Sequence, residues 1–230
     1  MARRTKQEAQ ETRNHLLDAA EHLFQAQGVS RTSLQDIARR AGATRGAVYW
    51  HFKDKADLFN AMMDRITLPM EEKFSPEPEV DTQQAKDSAA PQADSGAQAL
   101  ERIRQAMLSI LNLIVTDPQT RRVLEVATHK VEYVEDLMAV RQRHLNVRSG
   151  FLLRVEQSLQ DASATQPDAS AAQRPSPTMA AQGLHALIDG LVQNWLLDPQ
   201  AFDLLEVGQY AIDVYLQGLG LASTQEKSPK

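Results

Sequence analysis

Apolar side chains recur along this chain at spacings of three and four residues, the signature of helices packed along one face, and no stretch alternates as a strand would. Residues 9–27 set Leu16, Leu17, Ala20, Leu23 and Phe24 on one stripe, which Gly28 ends. Leu34, Ile37, Ala38 and Ala41 make a second, shorter stripe; Thr32 and Gln35 are spaced for a capping box at its start, and Gly42 is placed to stop it. Thr44 is the expected N-cap of a third short helix, in which Val48 and Phe52 lie one turn apart and face inward. Asp54 caps a fourth, running from Lys55 to about Phe74 through Leu58, Phe59, Met62, Met63 and Ile66, with Pro69 as the place where it kinks or frays.

The pattern then lapses. Residues 75–97, with three Pro and almost no large apolar side chain, read as a flexible linker. Helical stripes resume with Leu100, Ile103, Met107, Ile110, Leu111 and Ile114. Asp117 and Pro118 open the next, which carries Val123, Leu124, Ala127, Val131, Val134 and Met138, and another runs through Phe151, Leu152, Val155 and Leu159. Residues 161–178 are of low complexity and predict a mobile surface loop. Two strongly apolar helices follow: residues 184–196, with Leu184, Leu187, Ile188, Leu191, Val192, Trp195 and Leu196, and residues 202–219, with Phe202, Leu205, Ile212, Val214, Tyr215, Leu216 and Leu219. The expected organisation is all-α: a three-helix head over residues 1–55, a helical domain over residues 56–225, and a disordered tail over residues 226–230.

Within the head, two short helices joined by a Gly-bearing turn form a helix-turn-helix over TSLQDIARRAGATRGAVYWHFKDKADLF, residues 32–59. Arg45 and Tyr49 share a face that Val48 and Phe52 do not. A helix opening Thr-Arg-Gly suits a major groove: Arg forks to guanine edges, Gly46 lets the backbone approach, and hydroxyls reach phosphates. The competing reading is a plain helical hairpin with Tyr49, Trp50 and Phe52 all in the core. Three aromatics and a His at positions 49–52 cannot all point inward from one short helix, which favours DNA binding.

Charge agrees, once it is divided. The chain carries a net −5, which alone argues against a nucleic-acid partner. Residues 1–55 nevertheless hold ten Lys or Arg against six acids, a net +4, and the remainder is −9. A basic head on an acidic body is the footprint of a DNA-binding domain carried by something that stays off DNA. Arg3, Arg4 and Lys6 are either a phosphate-touching arm or a solvated tail. No apolar run approaches a membrane span and no signal segment opens the chain, so a cytoplasmic location is expected. The absence of Cys removes disulfides, thiolate catalysis and sulfur-ligated metals.

The 32–59 segment, with TRGAVYWHFKDKADLF and the opening ARRTKQEAQETR, resembles the TetR family of transcriptional regulators, and within it the AcrR-like repressors of multidrug efflux pumps. The match is strong over residues 3–60 and looser beyond. It implies that Thr44 and Arg45 read or border bases while Tyr49, His51 and Lys55 grip phosphates. With Thr32, Gly46 and Trp50 these make the candidate DNA-facing set. It further implies a homodimer through helices 184–196 and 202–219, setting two recognition helices roughly 34 to 36 Å apart or at a larger groove-matched spacing; otherwise those helices simply fill the monomer's core.

The resemblance also places a small-molecule pocket among the helices after Lys55. Met63, Ile66, Met107, Ile110, Leu124 and Phe151 are candidate walls for a hydrophobic inducer, each equally at home as plain core, and Met adapts to guests of different shape. Thr128 and His129 are weaker choices. His185 and Asp189, one turn apart, either orient a ligand, form a buried pair or hold a metal. No resident cofactor or metal is expected. An enzyme would need more than His129 with Glu132 or His185 with Asp189, so the chain reads as a ligand-released repressor and not an enzyme. A regulator of the same fold acting through protein partners, with no inducer, is the alternative.

Overall fold

The computed structural model describes residues 6–72, 96–132, 134–164 and 174–220. Among them run nine helices: α1 (Lys6–Gln27), α2 (Leu34–Arg40), α3 (Arg45–His51), α4 (Lys55–Glu72), α5 (Gly96–Thr116), α6 (Pro118–His129), α7 (Met138–Ala164), α8 (Pro177–Leu197) and α9 (Leu204–Gly218), with one 3-10 turn at Glu135–Leu137. The all-α expectation holds, with no strand among the described residues. Most of the expected linker, residues 165–173 of the expected loop, the tail, and Arg3 and Arg4 lie outside them.

Local chemistry sets several ends as expected. Gly28 and Gly42 take φ of 87° and 65°, the left-handed angles that end α1 and turn α2 into α3. Asp117 caps α6 by accepting from the Gln119 and Thr120 amides, with Pro118 in the first turn, and Asp54 accepts from the Asp57 amide at the start of α4. The helix α4 continues through Pro69 to Glu72. The stripe expected to run unbroken from Val123 to Met138 does not: α6 stops at His129, and α7 starts afresh at Met138 after the 3-10 turn. That restart changes the helical phase. Leu137 and Val140 are buried, while Val134 and Met138 are exposed.

The chain packs into two compact units. One unit is Met1–Met70 with Ile114–Arg148; the other is Glu71–Leu113 with Ser149–Lys230. All of α4 but its last two residues belongs with the head unit, where Leu58, Phe59, Met62 and Ile66 share one apolar cluster with Leu16, Leu17 and Phe24 of α1, Ile37 of α2, Val48 of α3, and Val123 and Val126 of α6. Each large side chain buried there contributes roughly 1.5–3 kcal/mol.

A buried charge ties the same elements together. Glu21 of α1 is 1% exposed; its carboxylate accepts from Arg65 of α4 at 2.6 Å and from Gln119 and Arg122 of α6 at 2.8 Å and 3.3 Å. Arg65 also donates to Asp18 at 2.6 Å. The desolvated carboxylate is stabilised only by these partners, so the network specifies how α1, α4 and α6 meet.

In the second unit α8 lies against α9. Small residues permit close approach: a Cβ at Gly183 of α8 would sit 2.2 Å from the hydroxyl of Tyr215 of α9, which donates to the Ala180 carbonyl at 2.8 Å, and one at Gly208 of α9 would sit 2.3 Å from Cδ1 of Leu111 of α5. Arg104 of α5 forks to Asp213 of α9 through bonds of 2.6 Å and 3.2 Å.

Candidate nucleic-acid interface

The helix-turn-helix is assembled by caps and a two-sided third helix. The capping box falls one residue later than expected. Ser33 is the N-cap of α2, its Oγ accepting from the Asp36 amide at 3.1 Å while the Asp36 carboxylate accepts from the Ser33 amide at 3.3 Å. Thr32 is unavailable because its side chain is buried: Oγ1 donates to the Gly28 carbonyl at 2.8 Å and accepts from Gln27 at 3.1 Å. The Ser33 hydroxyl, then its amide, holds the Asp36 carboxyl below the usual carboxylate range. The sequence signal for this cap is Ser33-x-x-Asp36, one residue along from Thr32-x-x-Gln35.

Past Gly42, the Ala43 amide reaches the Ala38 carbonyl at 2.9 Å, and Thr44 caps α3 by accepting from the Ala47 amide at 3.1 Å. Val48 and Phe52, at 0% and 2% exposure, anchor α3 to the core. Tyr49 and Trp50, at 51% and 72%, stand out from it. The hairpin with all its aromatics inside is therefore not what forms. The Arg45 guanidinium lies 5.5 Å from the Tyr49 ring centroid, which steers an exposed cation along the outer face. Half-buried His51 meets Trp50 edge-on, with ring centroids 4.5 Å apart. A Cβ added at Gly46 would touch nothing nearer than Thr44 Oγ1 at 3.9 Å, so the outer surface of α3 is open there. Beside it lies an open depression of about 280 Å³ lined by Thr32, Ser33, Leu34, Gln35, Arg45, Tyr49 and Lys55.

Lys55, which the resemblance puts at a phosphate, is half-buried at the start of α4. Its ammonium donates to the carbonyls of Val29, Ser30 and Thr32 at 2.9 Å, 3.2 Å and 3.2 Å.

The candidate ligand residues fall into both units. Met63, Ile66, Leu124 and Thr128 belong to the head unit, where Ile66 is buried and Met63 and Leu124 pack against its core cluster. Met107, Ile110, Phe151, His185 and Asp189 belong to the other, where Met107 is fully buried and Ile110 half-buried. The His185 ring meets Phe151 edge-on at 5.4 Å. Asp189 is exposed and accepts from Gln193, so a buried His185–Asp189 pair is not formed.

A short helix held down by two core side chains, presenting a cation and aromatics outward on a capped helix-turn-helix, defines a DNA-binding transcriptional regulator. Residues 16–62 match the family described as bacterial regulatory proteins, tetR family, and residues 98–221 match the C-terminal region of MAATS-type transcriptional repressors. The chain belongs to the TetR family. It is 39% identical to the HTH-type transcriptional regulator AcrR of Shigella flexneri, over 94% of this chain and 93% of that one. Its fold is similar to that of NalD, the secondary repressor of the MexAB-OprM multidrug efflux pump in Pseudomonas aeruginosa, with a TM-score of 0.73, 32% identity, and 92% and 97% of the two chains covered. SmeT in complex with triclosan gives a TM-score of 0.72 at 26% identity, covering 96% and 100%.

Proposed function

We propose that this chain is a ligand-released repressor of an efflux-pump operon, binding its palindromic operator as a homodimer. The observation that carries the DNA half is the exposed Arg45–Tyr49–Trp50 face of α3, rigidly backed by Val48 and Phe52. Arg45 reads a base edge, Thr44 and Gly46 allow close approach, and Tyr49, Trp50 and His51 follow the backbone and sugar edge.

Support for pairing comes from what α8 and α9 leave outside. Most of the side chains expected at a dimer seam are in the chain's own core, among them Leu184, Ile188, Val192, Trp195, Leu196, Ile212 and Leu216. Met179 and Leu197 of α8 and Tyr210 and Val214 of α9 are instead 67%, 69%, 72% and 51% exposed. Such apolar groups suit an isologous contact with a second copy, which a single short recognition helix needs for specificity.

The inducer is a hydrophobic small molecule, a reading supported by the relatives named above: one controls a multidrug pump and another is bound to triclosan. Such a molecule releases DNA only through its preference for the conformation that binds DNA poorly. Gel-shift titration on DNA from upstream of this chain's own coding sequence, repeated with triclosan, dyes and phenolics, tests both halves. A specific shift that at least one compound reverses is expected. No shift removes the repressor reading, and a shift that no compound reverses removes the inducer.

A further inference from the structure

The loop between α1 and α2, residues 28–32, is held from two sides by backbone groups. On one side the Val29 amide donates to the carbonyl of Lys130, the residue that caps α6, at 3.0 Å. On the other, three carbonyls, those of Val29, Ser30 and Thr32, converge on the Lys55 ammonium at the first residue of α4. An ammonium has three N–H donors and no acceptor, so three acceptors within 3.2 Å match its full capacity. Without it, three carbonyl dipoles would point at one another beside the buried Val29 side chain.

We propose that Lys55 is a positioning residue for DNA recognition: it clasps the α1–α2 loop and so fixes the tilt of α2 and α3, rather than gripping a phosphate. This rests on the DNA-binding reading above. The Thr32 carbonyl it holds immediately precedes Ser33, the N-cap of α2, and α2 passes to α3 through the turn closed by Ala43 and Ala38. A displaced Thr32 therefore displaces Arg45. The same knot takes up the Thr32 hydroxyl, another member of the candidate DNA-facing set, which donates to the Gly28 carbonyl.

The two roles predict different binding behaviour for Lys55→Met. A phosphate contact weakens binding to every sequence alike and lowers the salt slope by about 0.9. A clasp acts on the fit of α3 to base edges. Operator affinity is expected to fall about tenfold or more, the scale of one lost bidentate base contact. Affinity for a non-operator duplex is expected to stay within about twofold, with an unchanged slope of log K against log salt. A parallel loss on both duplexes with a reduced slope, or an unchanged operator affinity, overturns the proposal. Wild-type protein that bound no DNA would sink the DNA-binding reading and the proposal with it.

Should Lys55→Met lose its helical circular dichroism, amine-reactive footprinting of the wild-type protein decides. The clasp makes Lys55 slow to react compared with exposed Lys53 before DNA is added, with no further protection by operator. Fast labelling that operator then suppresses identifies a phosphate contact.

Discussion

The two units bury their apolar side chains alike and expose opposite surfaces. The head turns out Arg45, Tyr49 and Trp50 on one short helix, a cation interleaved with aromatics. The second unit turns out Met179, Leu197, Tyr210 and Val214 along two longer ones, with no cation among them. The first surface suits a polyanion with flat bases, and the second suits another apolar surface. Their interiors differ too. A fully buried carboxylate, Glu21, fastens α1 to α4 and α6 by directed charge, whereas α9 meets α8 at Gly183 and α5 at Gly208, where a side chain would collide, and its ion pair with α5, Arg104–Asp213, is only part-buried. A scaffold that presents base-reading groups needs its helices fixed in angle, and hydrogen-bonded charge fixes angle better than apolar contact, which is non-directional.

The contrast is broken most severely at Glu21. Glu21→Ala leaves Arg122 without its carboxylate partner and Arg65 with Asp18 alone, and is expected to cost about 3 kcal/mol, read as a drop in the urea midpoint. A change under about 1 kcal/mol would mean that apolar packing alone orders α1, α4 and α6.

Next comes the opposite surface. Tyr210→Ala is expected to weaken self-association by about 2 kcal/mol or more for each copy, measured by sedimentation at falling concentration, while the protomer's helical signal is kept. If the association constant is untouched, the exposed α9 face is not the seam.

Arg45→Ala sharpens the head's side of the comparison. Specific DNA binding should fall by about 1–3 kcal/mol with the melting temperature unchanged, because the side chain is exposed and its partner is outside the protein. Unchanged affinity and base preference would remove Arg45 from the base-reading set.

The smallest effect is a titration. The Thr120 hydroxyl, and after it the Thr120 and Gln119 amides, hold the Asp117 carboxyl below its ordinary range. A depressed folded value means stability that is present above the unfolded carboxylate value and is lost as pH falls through the folded one. Thr120→Val should therefore lower the melting temperature slightly at pH 6, and the difference from wild type should vanish in strong acid. A difference that persists there would assign the loss to packing of the buried Thr120 side chain.

Most helices were legible because an apolar stripe coincides with a cap or a stop residue, as in α1 with Gly28 and α3 with Thr44, Val48 and Phe52. The errors have a shared cause. Thr32 and Ser33 are both competent caps, and only the packing of Thr32 under Gly28 decides between them. Val134 and Met138 fit a helical period, yet the break after His129 resets the phase and sends Leu137 and Val140 inward. Periodicity is a local property and cannot register such a restart.

The order of residues by itself determined an all-α chain, a capped helix-turn-helix with Arg45 and Tyr49 on its outer face, and a basic head on an acidic body, because propensity, capping and charge act over a few residues; the TetR family was legible through the resemblance carried by residues 3–60. Tertiary structure alone decided that α4 and α6 complete the head, that Glu21 is the buried charge joining them, that Lys55 turns to backbone carbonyls, and which apolar residues of α8 and α9 stay outside. Those outcomes depend on groups far apart in sequence competing for the same partners, and only the folded geometry says which of them meet.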